Sequence, residues 1–294
     1  MYAECERRCI TAIELECCIY SALMGEVYTT PKPGLVDRAD TGAHSDMDVQ
    51  TFERSSEAIT PYLSRMFYCG TGWLGSPEGL FGEIRKIGIQ AEKAMFEATD
   101  GVNTHKGLIF TMGILCAAAG NCYQKKHCFD TDRILELAAE MTEKPLEEEF
   151  KKMETHAPQT HGELLYRKYG EKGIRGEAQK GFPILKNVAL PTLRSTRMLG
   201  LDANRSNITV LLAVMSKLND TNVWSRGSRE EMEWLKKQAE KILAQGGALL
   251  GSGIEKVEEL NELCIQKNLS PGGAADILAA GLFLYYLESL SQNM

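Results

Sequence analysis

The sequence predicts an all-α fold, a bundle of about ten helices with long functional loops, and three observations carry that expectation. Apolar residues recur at steps of three and four nearly everywhere, and no two alternating runs are joined by a hairpin turn. Hydrophobic residues make up 44% and charged residues 25% of the chain, the balance of a folded globular protein rather than a disordered or collagenous one. A length of 294 residues allows two domains or one large one. No clean linker and no internal repeat occurs, so residues 1–294 are read as a single domain.

A first helix ends before Thr29. Residues 29–47 then hold Pro31, Pro33, Gly34 and Gly42 without periodicity, and irregular stretches of that length inside a domain are usually functional. A helix runs through Phe52, Ile59 and Leu63, another through 108–119, and Ile134, Leu135, Ala138 and Met141 mark a further one. From 144 to 180 the chain is expected to break repeatedly, at Pro145, Pro158, Gly162, Gly170, Gly173 and Gly176, and no role is assigned to that region. The apolar run 208–215 suits a buried helix better than a strand, with polar Ser206 and Asn207 before it and Lys217 after it. Helical spacing returns at Met232, Leu235, Ala239 and Ile242, and at Ile254, Val257, Leu260 and Cys264.

The balance of 33 basic and 40 acidic residues gives a formal net charge of -7. Steering toward nucleic acid or an anionic membrane is therefore not expected, and a polyanionic ligand must be met by a local cluster of cations. Glu4, Glu6, Arg7 and Arg8 leave no apolar region for a signal peptide, and no stretch approaches the ~18 apolar residues of a membrane span. The nine cysteines are odd in number, irregularly spaced and without a CxxC pair, which points to reduced thiols in a cytoplasm.

Four segments can carry chemistry. In 30–38, two prolines and Gly34 stiffen and turn the chain, Lys32 and Arg38 can meet phosphate oxygens, and Asp37 can act as a base or metal ligand, unless the segment is a plain connector. In 42–48, Asp46 and Asp48 sit two apart and can converge on magnesium, although Asp48 can equally cap the next helix. In 101–107, Asn103 is expected to cap a helix whose first turn holds Thr104, His105 and Lys106. A lysine there opposes the helix dipole unless an anion is bound. In 270–276, Ser270 as cap and Pro271 as first residue start a helix, and Gly272 and Gly273 cost propensity unless a ligand or backbone comes close. Asp276 lies one turn inside.

Together these segments resemble the signature segments of triphosphoribosyl-dephospho-coenzyme A synthases, in the same order from about residue 21 to residue 287. The resemblance implies that the triphosphoribosyl group of ATP is joined to the 2'-hydroxyl of 3'-dephospho-coenzyme A with release of adenine. The product is the precursor of the prosthetic group of the citrate lyase acyl carrier protein, or of malonate decarboxylase in a sibling branch. Some members carry a fused carrier-protein transferase module, for which this chain has no room, so the product would pass to a separate one.

Glycosyl transfer needs an acid at the leaving base, a carboxylate at the attacking hydroxyl and counter-charges for the triphosphate. The expected assignment is Asp37 as base, His44 or His105 as acid, and Asp46 and Asp48 on magnesium. Lys32, Arg38, Asn103, Thr104, Lys106 and Gly107 form the phosphate cradle, with Ser270, Gly272, Gly273 and Asp276 also on substrate. Arg175, Lys180 and Arg194 are further cations for the second substrate's pyrophosphate. A magnesium-dependent nucleotide or ADP-ribosyl hydrolase is the alternative enzyme, and a helical adaptor the non-enzymatic one. A homodimer is left open.

Overall fold

The structure is a computed structural model that describes residues 9–292 apart from 127, 156 and 159. Among the described residues there are thirteen α-helices and no strand. The all-α expectation holds, with more and shorter helices than the ten expected. Cys5 and the charged residues of the first eight positions lie outside the described residues.

Helix α1 (Ala12–Val27) starts at Thr11, whose side chain accepts from Glu14 N–H while the Glu14 carboxylate reaches back to the cap. Helices α2 (Val49–Thr71), α3 (Pro77–Ala98) and α5 (Thr131–Met153) start at Asp48, Ser76 and Asp130, each a side-chain cap. Helix α4 (Lys106–Lys126) lies among them and contacts α2, α3, α5 and α13 (Gly272–Gln292). It buries Leu108, Met112, Leu115, Cys116 and Cys122, on more than one face, as a central helix must. Helix α13 is long and apolar enough to cross a membrane by length and composition. It nevertheless buries Ile277, Leu278, Leu282, Phe283 and Leu287 between α1, α4 and α9 (Ala203–Met215) and is the second core helix.

Around this centre run α6 (His161–Tyr169), α7 (Gly173–Gln179), α8 (Leu190–Met198), α10 (Thr221–Arg226), α11 (Arg229–Ala244) and α12 (Gly251–Gln266). The run 208–215 is the buried helix that its flanks suggested. Pro145 does not break the chain, because α5 continues through it to Met153. Leu146 and Phe150 extend the buried stripe of Leu137, Ala138 and Met141, and that burial outweighs a proline penalty of about 3 kcal/mol.

Helices α2 and α4 touch backbone to backbone at two glycines. A Cβ on Gly70 would stand 2.0 Å from the Ala117 carbonyl oxygen, and one on Gly120 would stand 2.0 Å from that of Phe67. Asn121 donates to the carbonyl of Gly70 across the same contact. Gly120→Ala must push the helices apart and is expected to cost about 2–3 kcal/mol in a urea melt, despite the gain in helix propensity. A stability equal to or above wild type would contradict this crossing.

Candidate active site

The loop 28–48 is irregular, as expected, and is built on Asp37. Its Oδ2 accepts from Lys32 N–H at 2.8 Å, and its Oδ1 accepts from Ala39 N–H at 2.7 Å and Asp40 N–H at 3.2 Å. Gly34 has φ +69, and a Cβ there would stand 2.0 Å from the Leu269 carbonyl oxygen. Its N–H donates to Asn261 Oδ1 at 2.8 Å, and Asn261 Nδ2 in turn donates to Asp40. The loop is thereby tied to α12 and to the chain entering α13, and Lys32 is turned inward. The lysine is 1% exposed, with Nζ 2.5 Å from Glu26 Oε1 and 2.9 Å from the Glu26 carbonyl oxygen.

The start of α13 differs from the expected one. The helix begins at Gly272, and the capping oxygen comes from Asp220 rather than Ser270. Asp220 Oδ2 accepts from Ala274 N–H at 2.9 Å, while Oδ1 accepts from Asn222 N–H and caps α10. Asp220 thus joins two helix starts. The glycines make room for it, since a Cβ on Gly273 would stand 3.0 Å from Asp220 Oδ2 and one on Gly272 3.0 Å from Asn222 Nδ2. One turn in, Asp276 faces the first turn of α4 so closely that a Cβ on Gly107 would stand 2.5 Å from its Oδ2. Burial, then the charges of Glu26 and Asp220, push the Asp276 carboxyl well above the ordinary carboxylate range. Asp220 is pushed up to about 6 by burial against its backbone N–H bonds.

Both candidate histidines are neutral at pH 7. His44 lies between Ser270 Oγ, 2.9 Å from Nε2, and Arg226, whose guanidinium donates to Nδ1 at 3.1 Å. Burial and the Arg226 charge lower it to about 4, against a smaller opposing pull from Asp46. Because Arg226 leaves the ring proton on Nε2, His44 donates to Ser270 and cannot activate it as a nucleophile. His105 is 2% exposed, with Nδ1 2.6 Å from Ser55 Oγ, and Ser55 accepts from the Thr104 hydroxyl. That chain leaves the proton on Nε2, which is buried without a partner. Burial and the Lys32 charge lower His105 to about 3. The acid expected at His44 or His105 is therefore not an imidazolium, and among the carboxyls of the cluster Asp276 is the one pushed well above the ordinary range.

Helix α4 starts at Lys106, later than the Asn103 cap predicted. Thr104 and His105 form the turn before it, although Asn103 Oδ1 does accept from Lys106 N–H at 3.3 Å. The dipole conflict at Lys106 is answered by Glu92, 3.1 Å from Nζ. Asp48 takes the capping role, holding Thr51 N–H at 2.8 Å, while Asp46 is exposed. Arg38 is exposed, stacked over the Tyr28 ring at 3.8 Å, and faces a different groove beside Thr30 and Asn204. Of the three additional cations, Lys180 is exposed, Arg194 pairs with Glu288, and Arg175 lines a cavity of about 360 Å³ beside Lys106 and Gly107.

All four predicted segments therefore meet, Lys32 and His44 from the loop, His105 from the turn before α4 and Gly107 within it, Ser270 from just before α13 and Asp276 within it. Sequence reasoning missed Glu26, Asp220, Arg226 and Asn261. Glu26 had a signal, as a charge on the stripe of Leu15, Ile19 and Leu23. Asp220 reads only as an ordinary helix cap, since nothing local says that it caps two.

A buried cluster of ionisable groups beside a cavity with cationic rim residues marks an active site, and the class of protein it defines is an enzyme. Residues 12–294 match the family described as ATP:dephospho-CoA triphosphoribosyl transferase, and the chain belongs to that family of transferases. It is similar to a "Probable 2-(5''-triphosphoribosyl)-3'-dephosphocoenzyme-A synthase" of Vibrio cholerae serotype O1 (strain M66-2), 41% identical over 272 residues, 92% of this chain and 87% of the relative. Proteins of the same name in Photobacterium profundum and Salmonella gallinarum are 38% and 37% identical, over 92% and 95% of this chain and 87% and 93% of theirs. No solved structure matches.

His44 makes acid stability a test of this geometry. Its folded value of about 4 lies below the ordinary 6.5, so its contribution is complete above about pH 6.5 and is lost as pH falls toward 4. Asp46 and Arg226 remain in His44→Asn, so the difference between wild type and variant isolates the imidazole. In denaturant melts that difference is expected to shrink by about 1–2 kcal/mol between about pH 7.5 and pH 5. An unchanged difference would mean that the ring is not held between Arg226 and Ser270.

Proposed function

We propose that the protein transfers the triphosphoribosyl group of ATP to the 2'-hydroxyl of 3'-dephospho-coenzyme A and releases adenine. The observation that carries this reading is the convergence of the four family segments on one buried cluster, in a chain that belongs to the family over 12–294. The bond from ribose C1' to adenine breaks and a bond from C1' to the acceptor oxygen forms; one carboxylate takes the hydroxyl proton, a second carboxyl supplies a proton to adenine, and exchange with solvent resets the two before the next turnover.

Asp276 gives adenine its proton on leaving. A carboxyl kept protonated by its surroundings is the form an acid needs. The acceptor hydroxyl gives its proton to Asp37, whose Oδ2 takes a single backbone hydrogen bond and keeps one acceptor site. Neutral His105, with its Nε2 proton unpartnered, donates to substrate. Lys32 balances charge within the cluster, and Lys106 meets substrate phosphate at the cavity rim in exchange with Glu92.

A magnesium ion accompanying the triphosphate would supply counter-charge for its oxygens, with Asp46 and Asp48 the residues expected to hold it. No group of three or more His, Cys, Asp or Glu residues suited to a metal occurs among the described residues. Of the two carboxylates expected to hold it, Asp46 is exposed, with Oδ1 3.9 Å from His44 Nδ1, and Asp48 is engaged as the cap of α2. Citrate lyase is the preferred destination over malonate decarboxylase, with hand-off to a separate carrier-protein transferase in the cytoplasm. The cysteines accord with that compartment, being free thiols among the described residues.

Purified protein is expected to release adenine only with both ATP and dephospho-coenzyme A, without phosphate or pyrophosphate. Stoichiometric phosphate, or adenine release without the acceptor, would move it to the hydrolase class. Asp276→Asn is expected to lower turnover at least about 100-fold. Its stability should stay within about 1 kcal/mol, since the carboxyl it replaces is already neutral. Near wild-type turnover would remove Asp276 as the acid.

A further inference from the structure

The cavity of about 360 Å³ lies between α3, α4, α5 and the α6–α7 segment, and much of its wall is apolar, from Phe81, Ile109, Phe110, Phe150 and Ile174. Gly107 and Thr221 line it, the neighbours of Asp276 and Asp220, so it opens beside the reacting cluster. Three of its cations are answered by carboxylates: Arg85 by Glu149, Lys106 by Glu92 and Lys172 by Glu147. Arg175 is not. Among the described residues it makes no hydrogen bond or ion pair; it is half-buried, burial lowers its pKa, and the Glu163 carboxylate acts on it only as a more distant charge that partly offsets the burial. Glu171 does not answer it, because that carboxylate accepts from Gly173 N–H and Asn219. Arg85 adds a second positive charge close by rather than a negative one.

A planar guanidinium with no carboxylate paired to it, only the charge of Glu163 farther off, keeps its donors available to phosphate oxygens. One free guanidinium suits a ligand with little charge and a long apolar part. A triphosphate would require several unpaired cations. We propose that this cavity is the acceptor subsite, taking the phosphopantetheine half of dephospho-coenzyme A with its phosphate on Arg175 and its arm along Phe150 and Ile109. The ribose end of the acceptor then lies at the Gly107 edge, toward the reacting cluster. This placement rests on the transfer reaction proposed above, but its binding step can be read without turnover.

The test is calorimetric titration of phosphopantetheine and of pantetheine into wild type, Arg175→Gln, Arg175→Lys and the exposed-site control Lys180→Gln, with adenine-release kinetics on each. Phosphopantetheine is expected to bind wild type and Lys180→Gln at least tenfold more tightly than pantetheine, and Arg175→Gln is expected to abolish that preference. Arg175→Lys should keep part of it, which separates loss of the contact from loss of folding. The KM for dephospho-coenzyme A should rise tenfold or more in Arg175→Gln with the KM for ATP unchanged. Equal binding of phosphopantetheine by wild type and Arg175→Gln, with adenine release intact, would overturn the subsite and leave the reaction standing. Arg175-dependent binding in a protein that releases no adenine would keep the subsite and overturn the reaction.

Discussion

Everything in the site depends on one buried ammonium. Lys32 lies beneath the loop 28–48 with its charge on Glu26, inside a cluster that also holds Asp276 and Asp220. A buried pair of this kind contributes little net stability against an apolar alternative, whereas breaking it leaves an uncompensated charge at a cost of about 3–5 kcal/mol. Its value is in setting protonation. Burial first, then the charges of Glu26 and Asp220, pushes the Asp276 carboxyl up, and burial together with the Lys32 charge pushes His105 down.

The backbone around the cluster is arranged to hold those charges at close range. Asp37 folds the loop so that Lys32 points inward, and Gly34 and Asn261 fix the loop to α12 and to the approach to α13. Asp220 pins the start of α13 to the start of α10, and two glycines give its carboxylate room. Gly107 lets α4 lie against Asp276. Each glycine that looks costly for a helix is a point where a side-chain oxygen or amide reaches the backbone, which is the physical sense of the family's glycine-containing segments.

The helical architecture was legible from apolar spacing, and Met232, Leu235 and Ala239 or Val257, Leu260 and Cys264 are buried on the faces that spacing assigned. Boundaries were less so. Ser270 looks like a cap and is bypassed, because the group that satisfies that helix start comes from elsewhere, Asp220 from 54 residues away, whereas Asn103 does hold Lys106 N–H although the helix begins later than it suggests. Pro145 looks like a break and is absorbed by burial on either side. Which segments matter was legible, but not which way their charges turn. Lys32 reads as a surface phosphate ligand, and only its partner on α1 makes it a buried counter-ion. His44 and His105 read as acids until desolvation and neighbouring cations are known.

The most direct measurement is the protonation state of Asp276 at about pH 7.5, far above the ordinary carboxyl range. Difference infrared spectroscopy of wild type against Asp276→Asn reads it through the carbonyl stretch of an un-ionised carboxylic acid. A band present in wild type and missing from the variant is the expected result, and it should shift when dephospho-coenzyme A is added. Spectra that differ only by loss of an ionised carboxylate would contradict a cluster in which burial and the charges of Glu26 and Asp220 keep Asp276 protonated.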